Sequence, residues 1–226
     1  MTAYKLADKV VYHEDVAIAS QKGGTGKTTI AVHLAAAATI AGFHAAVIDL
    51  DPQVSAASWG DDRASEPPEV VSGQANRLPV LLEGAAKQGF DLVVIDTGPN
   101  ADTAARRAAE AADLVIIPCR PATFDLKAIK TTIELVEITR TRAFIVLNAT
   151  PVRSRVVQEA RDVVTGLGAV VAPVTIAQRA AFVHCLVSGQ TAQEFEPDGK
   201  AAEEIAALWE WLAGELGLPV KAKKAA

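Results

Sequence analysis

The sequence predicts a single α/β domain, a mostly parallel twisted sheet flanked by helices on both faces. Three observations predict it. From Val16 onward, short apolar runs of strand length alternate with longer alanine-rich segments of helical period. The chain has 226 residues, 50% of them apolar and 5% aromatic, which suits one core built of Ala, Val, Leu and Ile. A glycine-rich stretch stands where the first run gives way to the first helical segment.

Residues 1–15 have no strong period and read as an N-terminal extension, either an added strand or a short arm, ahead of a domain over 16–218. Strand-like runs follow at 16–20, 44–49, 91–96, 113–118, 142–147 and 169–173. Helical segments fit between and after them at 27–41, 78–88, 101–112, 123–140, 155–167, 180–188 and 199–216. Thr123 reads as the N-cap of its helix, while Gly214 and Gly217 weaken the last one and Pro219 stops it. The stretch 59–77, with Pro67-Pro68, Gly73 and several charges, reads as an irregular surface excursion. Residues 219–226 form a tail with Lys221, Lys223 and Lys224.

The stretch Gln21-Lys22-Gly23-Gly24-Thr25-Gly26-Lys27-Thr28-Thr29 joins a strand to a helix, so backbone N–H groups and a positive helix end surround one anion-sized hollow. Gly23, Gly24 and Gly26 let the backbone curl around phosphate oxygens, Lys27 reaches the β/γ-phosphates, and the Thr28 hydroxyl is placed to ligate Mg2+. The general template wants glycine where Gln21 stands. Lys22 is redundant beside Lys27 for a single nucleotide; its charge is either aimed elsewhere or simply solvated.

Two further strands end in acids. Asp49-Leu50-Asp51-Pro52-Gln53 puts two carboxylates on one strand face at the rim where open α/β sheets bind ligands, opposite the phosphate loop, and such an acid can orient an attacking water. Asp51-Pro52 also suits a plain strand-ending turn. The run Leu92-Val93-Val94-Ile95-Asp96 places Asp96 to hold Mg2+ directly or through water, before a Thr97-Gly98-Pro99 corner able to sense a γ-phosphate.

With these motifs in this order, the chain from about Val16 to Leu216 resembles the ParA/MinD family of ATPases, whose loop reads K-G-G-x-G-K-[ST], and among them the small plasmid-type partition proteins that lack an N-terminal helix-turn-helix domain. The resemblance implies a P-loop NTPase fold, ATP and Mg2+ as cofactors, and weak Mg2+-dependent ATP hydrolysis. It implies catalytic roles for Lys22, Lys27 and Asp51, with Lys22 crossing a dimer interface to the partner's ATP. Nucleotide contacts would come from Lys22, Gly23, Gly24, Thr25, Gly26, Lys27, Thr28, Thr29 and Asn148, the last at the adenine edge, although an Asn-Ala-Thr-Pro turn explains Asn148 as well. Thr28 and Asp96 would hold the metal.

The partners implied are a second copy in the presence of ATP, DNA bound without sequence preference, and a ParB-type or other cargo adaptor that stimulates hydrolysis. The cargo is plasmid or chromosome DNA, or alternatively a protein assembly positioned on the nucleoid. A net charge of −5 requires DNA contacts to form a local patch, with Arg153, Arg155, Arg161, Arg179, Lys200 and the three tail lysines as candidates against ordinary solvated charge. No apolar run has membrane-spanning length and the tail is too short for an amphipathic anchor, so a cytoplasmic, nucleoid-associated protein is expected. An electron-transfer relative with a subunit-bridging iron–sulfur cluster is the competing reading. It needs suitably placed thiolates, whereas Cys119 directly follows a strand and Cys185 lies in an apolar helical segment, and both read as buried and reduced.

Overall fold

The computed structural model describes residues 4–6, 9–63, 67–99 and 102–219. At the N-terminus, β1 (Tyr4–Leu6) and β2 (Lys9–Val11) pair antiparallel as a separate two-stranded unit. The main sheet has six strands, all parallel: β3 (Glu14–Ile18), β4 (Ala45–Asp49), β5 (Glu69–Ser72), β6 (Leu92–Asp96), β7 (Leu114–Cys119) and β8 (Ala143–Leu147), in the order β5-β4-β6-β3-β7-β8. The helices are α1 (Lys27–Ile40), α2 (Ser55–Asp62), α3 (Leu78–Gln88), α4 (Asp102–Ala111), α5 (Thr123–Thr139), α6 (Arg155–Gly166), α7 (Ala181–Val187), α8 (Ala192–Phe195) and α9 (Lys200–Leu216).

Successive residues of a strand face opposite sides, which divides the core in two. Val16, Ile18, Val47, Val94 and Ile116 pack under α1, α2 and α9, while Ala17, Ile48, Val93, Ile95 and Ile117 pack under α3 to α6. Burial on both faces explains why the central strands read as continuous apolar runs. β3 lies between β6 and β7 although both follow it in the chain, and its C-terminal end opens at the crossover where ligands of such sheets bind.

Several boundaries differ from the sequence reading. The first sheet strand begins at Glu14, so Glu14 and Asp15 are buried within it rather than belonging to an extension. The run 169–173 makes only a single bridge, Val171 to Ile145, and ends at Pro173, which has no N–H to continue a ladder. The sixth strand instead comes from the stretch expected to be irregular: Glu69–Ser72 is an edge strand, mostly exposed, whose apolar content is too slight to register as a run. That stretch also holds the end of α2, which buries only Ala56 and Trp59. Thr123 is the first residue of α5 rather than its cap, the capping position being taken by Ala122. The last helix runs through Gly214 and stops at Gly217, whose φ of 69° closes it. The tail lysines lie outside the described residues. Among the described residues no helix is long and apolar enough to cross a membrane.

Candidate nucleotide site

The loop 21–26 leaves β3 and feeds the N-terminus of α1, so the first free N–H groups of α1 point at the hollow the loop encloses. Two glycines are obligatory for different reasons. Gly26 has φ 90°, and a Cβ there would lie 2.2 Å from the Asn148 amide nitrogen. Gly24 has φ 73° in open space, so its constraint is conformational alone. Lys27 is buried and its Nζ donates to the Lys22 carbonyl at 3.2 Å, folding the side chain back across the loop. Burial lowers the Lys27 pKa, against the opposing pull of Asp96 and Asp51.

The acids arrive through sheet register. Asp49 and Asp96 are direct partners across β4 and β6, and Ile18, the last residue of β3, is the partner of Asp96 on the other side. Asp96 is fully buried, and among the described residues neither carboxylate oxygen makes a hydrogen bond of ordinary geometry, although the Thr28 hydroxyl is close enough to favour its ionised form. Burial pushes its pKa up to about 7; the neighbouring Thr28 and Lys27 side chains pull down, and Asp49 and Asp51 push up. An orphaned pair of carboxylate oxygens beside a threonine hydroxyl and a cluster of acids suits a hard divalent cation, so Asp96 and Thr28 fit Mg2+. Thr97 anchors the following corner by donating to the Ile18 carbonyl at 2.9 Å.

Asp49 lies on the same sheet face as Asp96, but its carboxylate is already occupied. Its carboxylate accepts the N–H groups of Asp51, Ala56 and Ala57 at 2.9, 2.9 and 3.0 Å, so it closes the turn and caps the first turn of α2 from the end of β4. Asp51 is the acid left available. It is half-buried, accepts the Gln53 N–H, and approaches the Gly98 corner so closely that a Cβ on Gly98 would stand 3.0 Å from its Oδ1. A cavity of about 760 Å3, bounded by Asp51, Val54, Gln74, Arg77 and Ala104, opens beside it.

The remaining expected residues also gather on this rim. Asn148, just after β8, donates through Nδ2 to the Thr25 carbonyl at 2.7 Å and braces the loop. Lys22 is not simply solvated: Nζ forms a 2.6 Å ion pair with the buried carboxylate of Asp125 in the first turn of α5. The Gln21 N–H is held by the Thr132 hydroxyl, two turns further along α5 on the same face. Sequence reasoning missed Asp125 and Thr132, for they look like ordinary helix residues. Both cysteines are buried, Cys119 close enough to the Lys22–Asp125 pair to feel its charges, and burial pushes the Cys119 thiol up to about 12 and that of Cys185 to about 11.

Residues 16–191 match the nucleotide-binding domain of the CobQ/CobB/MinD/ParA family. The chain belongs to this family. Over 201 residues, covering 84% of this chain and 92% of the relative, it is 31% identical to the maintenance of carboxysome distribution protein A of Halothiobacillus neapolitanus. It is 28% identical to Escherichia coli protein IncC, covering 86% of this chain and 67% of IncC. Among solved structures, Pyrococcus horikoshii MinD with Mg-ADP superposes with a TM-score of 0.74 at 19% identity, over 93% of this chain and 99% of that one. The ATP complex of a Cyanothece McdA variant gives 0.73 at 16% identity, over 94% and 100%. These likenesses establish the P-loop ATPase fold of the chain.

Proposed function

We propose that this protein is an ATP-hydrolysing positioning factor: ATP joins two copies, the pair binds DNA without sequence preference, and an adaptor on the cargo stimulates hydrolysis and release. The observation that carries the reading is the meeting, on one rim, of a two-lysine phosphate loop with the available acid Asp51 and the orphaned acid Asp96. Lys27 and the loop N–H groups hold the phosphates, and Asp51 orients the attacking water. Thr28 and Asp96 would hold Mg2+, whose positive charge would offset that of the phosphates. Asn148 keeps the loop in shape, and its side-chain oxygen is the group available to the adenine edge.

Lys22 supplies the switch. Its ammonium is withheld from its own loop by Asp125 and reaches a partner's γ-phosphate only when that phosphate outweighs the ion pair. The DNA surface is narrower than the count of basic residues suggests. Arg161 donates to the Ala172 carbonyl, Arg179 is held by Glu204 and Lys200 by Glu203, whereas Arg153 and Arg155 are exposed with no ion pair among the described residues.

For cargo, a relative matched over 84% of this chain and 92% of its own is named for carboxysome distribution, which supports a protein assembly over plasmid or chromosome DNA. Similarity to the chromosome-partitioning ATPase Soj of Thermus thermophilus favours DNA cargo as the second reading. The deciding experiment is mass measurement by light scattering on an Asp51→Ala protein. A dimer with Mg2+ and ATP, a monomer with ADP, and a monomer for Lys22→Ala are expected. A mass indifferent to nucleotide refutes the switch.

A further inference from the structure

Arg63, at the C-terminal cap of α2, is buried, yet its guanidinium reaches Glu194 of α8 with two hydrogen bonds of 2.9 and 2.7 Å. The same guanidinium donates to the carbonyls of Gly189 and Pro67 and lies over the Trp59 ring at 4.6 Å. Glu194 in turn accepts the N–H and hydroxyl of Thr191, completing a capping box. Burial alone would raise the Glu194 carboxyl, but the Arg63 and Thr191 bonds hold it below the ordinary range.

The adjoining N–H, that of Ala192, donates to Nε2 of the fully buried His33, whose Nδ1–H donates to the Thr29 carbonyl at 2.7 Å. A chain of buried polar contacts therefore runs from the end of α2 to the first turn of α1, directly behind the phosphate loop. Burial lowers the His33 pKa to about 4, so its ring stays neutral and keeps this donor–acceptor pattern near neutral pH.

At its other end α2 begins from a strained residue. Val54, the N-cap, has φ 48°, a left-handed conformation that a β-branched residue adopts only when its surroundings enforce it. Its N–H is bonded to the Asp51 carbonyl at 2.8 Å, so the strained turn and the hydrolytic acid are one unit. That unit is suspended between two anchors, the Asp49 carboxylate on the first turn of α2 and the Arg63–Glu194 clamp on its last.

We propose that Glu194 is a positioning residue for ATP hydrolysis: through Arg63 it fixes α2, which keeps the Val54 turn strained and Asp51 aimed at the phosphate loop. The proposal rests on the ATPase reading above. Glu194 is far in sequence from every nucleotide motif and touches none of the loop residues that hold phosphate. Loosening it lets the turn relax and moves Asp51 while the phosphate grip remains, so turnover falls and affinity does not. An ångström of misplacement is enough to slow an oriented reaction by roughly tenfold to a hundredfold.

The test compares wild type with Glu194→Gln, which loses the charged clamp, and Arg63→Lys, which keeps charge but loses the fork. Val164→Ala, a core truncation in α6 on the opposite face of the sheet, serves as the stability control. Steady-state ATPase should show kcat reduced by about tenfold or more in both clamp variants, with KM for ATP within about twofold. Val164→Ala should lower Tm at least as much with kcat preserved. Amide exchange at residues 54–57 should quicken in the clamp variants and stay slow in the control. Unchanged kcat in the clamp variants, or a kcat that merely follows Tm across all three, overturns the proposal. If wild type itself hydrolyses no ATP, the ATPase reading fails separately, and unaltered exchange at 54–57 then rejects the clamp on its own.

Discussion

Replacing Asp96 by asparagine should change how stability depends on pH, and the structure gives the size. The Asp96 carboxyl is raised from 3.8 to about 7 by burial first, with Asp49 and Asp51 adding to the rise and Thr28 and Lys27 opposing it. A raised carboxyl binds its proton more tightly in the folded chain than in the unfolded one, so folding loses stability as pH climbs through the window between those two values. At about 1.4 kcal/mol per pH unit, the wild type should lose roughly 2–3 kcal/mol on this account between pH 5 and 8, and Asp96→Asn should lose none of it. For a chain of this length that is a difference in Tm of about 5–10 °C opening up across the range.

Asp15, also raised to about 7 by burial, titrates in the same window, but it is present in both proteins and cancels in the comparison. The assay is thermal unfolding of both proteins without nucleotide at half-unit steps from pH 5 to 8, repeated with Mg2+ and ADP. The added ligands should lift the wild type more than the variant, because only the wild type offers a carboxylate to the cation. Tm curves that run parallel across the pH range refute the reasoning that Asp96 is a strained buried acid kept for a metal.

Asp125→Asn should release Lys22 and strengthen ATP-dependent dimerisation: with Lys22 partly exposed, each ion pair is worth about 1 kcal/mol, so two per dimer give a roughly 30-fold lower dissociation constant by analytical ultracentrifugation. Weaker dimerisation would show that Asp125 orders the loop instead of holding Lys22 back. Lys27→Ala should abolish nucleotide binding and turnover, and an unchanged rate removes the nucleotide-site assignment. Asp49→Asn leaves backbone donors at the α2 terminus unmatched and should cost about 2 kcal/mol or more in denaturant unfolding. Arg153→Ala with Arg155→Ala should weaken binding to two unrelated duplexes equally and make the slope of log affinity against log salt shallower by about one for each phosphate no longer neutralised; unaltered binding places the DNA surface elsewhere.

The phosphate loop, the acids ending β4 and β6 and the alternation of strand and helix are all written locally. Gly24 and Gly26 are needed by their own backbone angles, and the run 92–95 is apolar because both faces of the sheet are covered. The fold can therefore be named, and a candidate nucleotide site proposed, from the chain before any tertiary pairing is seen. The edge strand Glu69–Ser72 was not legible, because a half-exposed edge needs little apolar content and its pairing with β4 is settled by the sheet it joins. Nor was the division of labour between Asp49 and Asp51, which depends on where the first N–H groups of α2 come to lie. The groups that restrain the site are further still from local pattern: Asn148 meets Thr25 across 123 positions and Arg63 meets Glu194 across 131. Such pairs are made by the packing of helices against both faces of the sheet. A buried polar side chain takes whatever partner the close-packed interior delivers to it, and composition and spacing along the chain carry no record of which one that will be.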